Sequence, residues 1–128
     1  MSFRSLMSNK IAIYRKGLGV RDDDGYETAS FELVEGMSSV PSRLSATSRS
    51  AVYRLEGVDV RASHQLYIVS ALDDGSPVNV VENDRVVDEE TGVAYRVLEI
   101  HAPRAYSKLH HFEGAVIEET SWAEQESS

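Results

Sequence analysis

A chain of 128 residues, 41% of them hydrophobic, is long enough for one domain with its own core and too short for two ordinary ones. It has no cysteine, which excludes disulfides, thiolate catalysis and cysteine-based zinc sites, and its net charge of -8 argues against tight wrapping of nucleic acid. No run approaches the roughly 20 apolar residues of a spanning helix, and Arg4, Ser5, Ser8, Asn9 and Lys10 break up any secretory-type apolar segment, so a soluble, cytosolic protein is expected.

In chain order, Phe3, Leu6 and Met7 stand at helical spacing and predict a short N-terminal helical turn. Ile11 to Arg15 alternates as a first strand. Asp22-Asp23-Asp24-Gly25 reads as a turn, because Asp-Gly favours the positive φ of tight turns. Thr28 to Glu35 is a second strand with Phe31 and Leu33 on one face, and Val40 to Ser45 a third, with Pro41 marking an edge or the strand's start. From Ala46 to His64 the pattern weakens. A period of 2 survives in Ala51 to Leu55, so an extended, mobile arm or hairpin is expected there rather than a helix. Gln65 to Val69 is almost continuously apolar, as a strand buried on both sides would be, and Asp73 to Pro77 ends it. The segment Asn83 to Ile100 reads as a tight hairpin: a short strand, an acidic turn closed by Gly92, and a strongly β-forming return strand. Ala102 to Lys108 is a loop and His111 to Glu119 a last strand. These elements make an all-β fold, a small single-domain β-barrel of about six to seven short strands. It covers residues 1–119, with 47–63 as a projecting arm and 120–128 as a disordered acidic tail.

Little in the chain suggests chemistry. His64, His101, His110 and His111 do not converge at metal-ligand spacing, and His110 and His111 would face opposite sides of a strand, so no metal is expected. The glycine after Asp22-Asp23-Asp24 comes too early for a calcium loop. No serine sits in a Gly-x-Ser-x-Gly elbow, and Glu89-Glu90 and Glu118-Glu119 lack an apolar surround that would tune a catalytic carboxyl. We therefore expect no enzyme activity and no cofactor. Arg43, Arg49, Arg54 and Arg61, interleaved with Tyr53, could touch phosphates; the nearby Glu56 and Asp59 would keep such contact glancing. The simpler reading is that they form salt bridges or solubilise a long loop.

Taken in order, Ile11 to Arg15, Asp24-Gly25, Val40-Pro41-Ser42-Arg43-Leu44-Ser45, a variable arm, His64-Gln65-Leu66-Tyr67-Ile68, Asn83 to Val87, Gly92 to Val97 and His110-His111-Phe112-Glu113 resemble the head-closure (stopper) proteins of tailed-phage necks, or their equivalents in phage-derived gene transfer agents. The likeness spans roughly residues 10 to 119. It implies a barrel that forms a homo-oligomeric ring below the portal and adaptor in the virion neck, assembled in the bacterial host cytoplasm. Such a ring holds packaged DNA with transient, non-specific contact and offers the tail terminator or tail tube a docking face. It also implies that Thr47 to Ser63 gates the channel, with Arg49, Tyr53, Arg54, Glu56, Asp59 and Arg61 as arm residues. Arg15, Arg43, His110 and His111 are the expected subunit or partner contacts. The alternatives are a tail terminator-type ring protein and a small barrel that binds nucleic acid or peptide.

Overall fold

The organising strand is β1 (Asn9–Lys16): Ile11 and Ile13 are fully buried, the small Ala12 between them is buried too, and Lys10 and Lys16 stay in solvent. The computed structural model describes residues 7–17, 20–21, 27–28, 30–47, 51–101 and 111–120. Among these, β1 is followed by β2 (Val20–Arg21), β3 (Glu27–Thr28), β4 (Phe31–Leu33), β5 (Val40–Ala46), β6 (Val52–Leu55), β7 (Val58–Arg61), β8 (His64–Val69), β9 (Arg85–Asp88), β10 (Ala94–His101) and β11 (His111–Glu118). The main sheet runs β4-β1-β5-β8-β11-β10-β9, and β9 pairs back onto β1. Six antiparallel strands thus close into a barrel, with β4 added on the outer flank of β1. Closure leaves these six strands without the open edges that invite aggregation.

The core is the barrel interior. Ile11, Ile13, Val40, Leu66, Ile68, Val86, Tyr95, Val97 and Val116 point inward, and Met37, Val78 and Val80 from the loops cover one end. Each fully buried aliphatic side chain contributes about 2 kcal/mol relative to exposure. The β9–β10 hairpin has the predicted form. Gly92 takes a φ of 77°, its amide donates to the Asp88 carbonyl at 2.7 Å, and the Asp88 carboxylate accepts from the Glu90 amide at 3.0 Å.

One sequence expectation changes and two are narrowed. The second strand shrinks to Phe31–Leu33, the residues in register with β1; the Val34 amide still donates to the Ile13 carbonyl at 2.9 Å, and the chain then turns at Val34 to Met37, with Gly36 at a φ of 77°. Pro41 lies one residue into β5, opposite Lys10, so of the two expected places, an edge or the strand's start, it occupies the start; β8 pairs with β5 from Ser42 onward. The stretch between β5 and β8 holds an ordered hairpin, β6–β7, folded against the barrel. The helical turn at Phe3 and Leu6, the Asp22–Gly25 turn, the 102–108 loop and the tail from 121 onward lie outside the described residues.

One irregularity shapes the outer wall. The β10–β11 register shifts between Val97 and Glu99, a β-bulge that leaves Leu98 as the extra residue. Val97 points in, Leu98 packs outside with the hairpin, and Ile100 returns to the inner cluster. Opposite the bulge sits Gly114, where an added Cβ would collide with the Glu99 carbonyl oxygen and stand 2.8 Å from Ile100 Cδ1. Gly114→Ala should therefore cost about 1–3 kcal/mol by overpacking. The expected result is a lower urea midpoint with the slope unchanged; a midpoint equal to wild type would show that the bulge can relax.

Candidate functional site

The outer wall over β10 and β11 carries the most distinctive arrangement. Leu55-Glu56-Gly57-Val58 turns the β6–β7 hairpin, and both central residues have positive φ, 50° at Glu56 and 83° at Gly57. That pattern belongs to a type I′ turn, where asparagine or glycine is the usual first residue. A glutamate held there stores roughly 1–2 kcal/mol of backbone strain. The strained residue has a task. Its carboxylate accepts from Arg96 Nη1 at 3.0 Å, and the Arg96 side chain is only 5% exposed.

Arg96 is itself held from several sides. Its Nε donates to Glu119 Oε1 at 3.2 Å, the same oxygen that accepts from Arg85 Nε at 3.0 Å. The two guanidinium groups lie 4.1 Å (Arg85) and 4.8 Å (Arg96) from the centre of the Phe31 ring. Edge strand β4 thus caps a charge cluster that joins β9, β10, the end of β11 and the hairpin tip. Beside it, Leu55, Val60 and Ile117 form a small apolar cluster against Tyr53, Val58 and Leu98. Ile117 points away from the barrel interior and is fully buried because the hairpin covers it.

The expected arm residues therefore divide. Tyr53 is part of the apolar contact and Glu56 is the tip tether. Arg54 and Asp59 face each other across the hairpin at 3.5 Å, both largely in solvent, a pair worth little to stability. Arg61 is exposed at the end of β7, in register with Val52. Arg49 lies outside the described residues. At the hairpin base, the Ser63 amide donates to the Val116 carbonyl at 2.9 Å and its hydroxyl accepts from the Glu118 amide at 2.8 Å.

The expected interface residues also separate. Arg43, Tyr67, Glu113 and His101 are register neighbours across β5, β8, β11 and β10, forming one polar row on the outer wall. His111 Nε2 donates to the Glu113 carboxylate at 3.1 Å, and its ring lies 6.3 Å from that of Tyr67. Arg43 and His111 thus share a face; His110 is outside the described residues. Arg15 is elsewhere and engaged within the chain. Its Nε and Nη2 donate to the two carboxylate oxygens of Asp84 at 2.9 Å each, and Nη2 also reaches Asn79 Oδ1 at 2.9 Å. The Asp84 hydrogen bond is the main reason the guanidinium holds its proton more tightly than an ordinary arginine. Asp84 is 1% exposed and also accepts from the Val81 amide at 2.9 Å, so this fork ties β1 to the loop before β9. The sequence marked Arg15 as a surface contact because nothing local shows a partner 69 residues away.

Inside the barrel, Tyr95 packs edge-on to His64 with ring centres 5.0 Å apart. Burial, then the charges of Glu118 and Asp88, pushes its phenol above the ordinary tyrosine value. Among the described residues no group of three or more His, Cys, Asp or Glu side chains could hold a metal ion.

No protein-family profile matches the chain, and no curated protein matches it. Among solved structures it is similar to the phage-like element PBSX protein xkdH from Bacillus subtilis, with a TM-score of 0.47 and 15% identity, over 88% of this chain and 95% of that one.

Two measurements probe these contacts. Asp84→Ala leaves the Arg15 guanidinium and the Val81 amide without their acceptor and should cost about 3 kcal/mol, read as a drop in urea midpoint; a loss below about 1 kcal/mol would mean the fork does not tie the loop to β1. Tyr95 binds its proton more tightly folded than unfolded. Its stabilising contribution is complete below the unfolded value of about 10 and is lost as pH rises through the higher folded value. Tyr95→Phe should lessen the alkaline fall in stability above about pH 10, and an unchanged alkaline limb would refute the assignment.

Proposed function

We propose that this protein is a structural ring subunit of a phage-type neck that closes the DNA channel after packaging and presents a docking face to the tail. The observation that carries the proposal is a closed six-stranded barrel with a two-stranded hairpin inserted between β5 and β8. That is the place where the resemblance to head-closure proteins puts the gating segment. The role is mechanical and needs no cofactor. Copies of the chain form a ring between the portal or adaptor above and the tail terminator or tail tube below. The row of Arg43, Tyr67, Glu113 and His111 is available for subunit or partner contacts. An acidic body suits a channel wall, since it repels DNA and lets it slide, while Arg54 and Arg61 give a weak, non-specific hold.

Particles carrying a deletion of residues 52–61, bridged by a short Gly-Ser linker, test the gate. Heads should assemble and package DNA but lose it before tails join, measured as nuclease-accessible genome per head. Heads that keep their genome and join tails at the wild-type rate would remove the gate assignment. Cryo-EM of intact particles, with this chain found anywhere but the neck, would remove the ring assignment.

A further inference from the structure

We infer that the β6–β7 hairpin is a strap with its own opening equilibrium, latched at its tip by Glu56 on Arg96 and hinged at Ser63. The inference stands on the geometry of the single chain and does not need the neck assignment. The hairpin forms a two-stranded sheet separate from the barrel sheet, and among the described residues no backbone hydrogen bond joins Val52–Arg61 to the barrel. Among the described residues, side chains seat it there: Leu55 and Val60 on Ile117, with Tyr53 and Val58 beside them, and the Glu56 carboxylate on Arg96.

Two-stranded hairpins are marginal in water without a surface to pack on. Once the strap lifts, its strands therefore lose order, and Glu56 leaves the left-handed conformation that strains it while docked. Docking thus works against stored strain and depends on a short-range ion pair to a buried guanidinium. Losing that partner leaves the buried Arg96 guanidinium with Glu119 as its remaining carboxylate in a poorly solvated place, so contact is favoured when the tip is seated. The base behaves differently. Ser63 is fixed to β11 through both its amide and its hydroxyl, and Thr47 donates its amide to the Ser63 carbonyl at 3.1 Å. The strap therefore opens at the tip and pivots at the base, a local unit less stable than the barrel that carries it.

Hydrogen exchange on the full-length protein, resolved by residue, tests this. Amides of Arg54, Leu55, Val58 and Val60 should exchange faster than those of Leu66, Ile68, Val97 and Val116. Glu56→Gln keeps the strained turn and removes the charge, and should speed the hairpin amides by at least roughly tenfold while barrel amides stay unchanged. Glu56→Asn suits the turn but shortens the side chain, and should fall between wild type and Glu56→Gln. Arg54→Gln cuts only the exposed Arg54–Asp59 pair and should leave exchange as in wild type. Hairpin and barrel amides exchanging with one common protection in wild type and in Glu56→Gln would overturn the strap. Arg54→Gln matching Glu56→Gln would overturn the latch. These outcomes are read on isolated protein, so they are independent of whether particles retain DNA.

Discussion

Everything in this fold depends on β1 pairing along both edges. One edge takes β9 from Ile11 to Tyr14; the other takes β5 at Asn9 to Ile11 and β4 at Tyr14 to Lys16. An eight-residue strand thus closes the barrel and carries an extra edge strand. The closure is reinforced by side chains. Asn9 donates to Asp88 at 3.2 Å and accepts from the Leu44 amide at 3.1 Å, bridging β9 and β5 at one end of β1. Arg15 grips Asp84 near the other end. A register slip of β1 by one residue would turn Ile11 and Ile13 outward and break both bridges, so the core pattern and the polar pins specify the same alignment.

Once the barrel is closed, its outer wall carries the β6–β7 hairpin. The bulge at Leu98 places an additional apolar side chain outside, and it can form there only because Gly114 leaves room for the Glu99 carbonyl. Leu98 and Ile117 then offer the hairpin an apolar seat, while Arg96, held by Glu119 and stacked near Phe31, offers it a charge. A backbone irregularity and one glycine therefore prepare a docking place for an element inserted elsewhere in the chain.

For the proposed ring subunit this division of labour is physically sensible. A barrel without free strand edges keeps its shape when neighbours pack against it, and its many long-range pairings make it a cooperative unit. A side-chain-docked hairpin can move without disturbing a single rung of the barrel sheet. Rigid frame and moving part are separated by the kind of bond that holds each: backbone ladders in one, a few side-chain contacts in the other.

Alternation in Ile11 to Arg15 and Val40 to Ser45, the continuous apolar run at Leu66 to Val69, and the acidic turn closed by Gly92 were each enough to place a strand or hairpin correctly, because period and turn chemistry are local properties. The same local view read 47–63 as a mobile arm or hairpin without a seat. It saw serines and charges with scattered valines, whereas Leu55 and Val60 are buried only because Ile117 and Leu98 wait for them from distant strands. It could not pair Arg15 with Asp84, which is remote in sequence, and it gave Arg96 no role at all. A positive φ at Glu56 carries no sequence signal either, apart from the glycine that follows. The sequence by itself determined an all-β chain, most of the barrel strands and the turn closed by Gly92. Which strands close the ring, which charges are buried, and that the hairpin is seated were decided only by tertiary structure, because each depends on residues far apart in the chain meeting at one point.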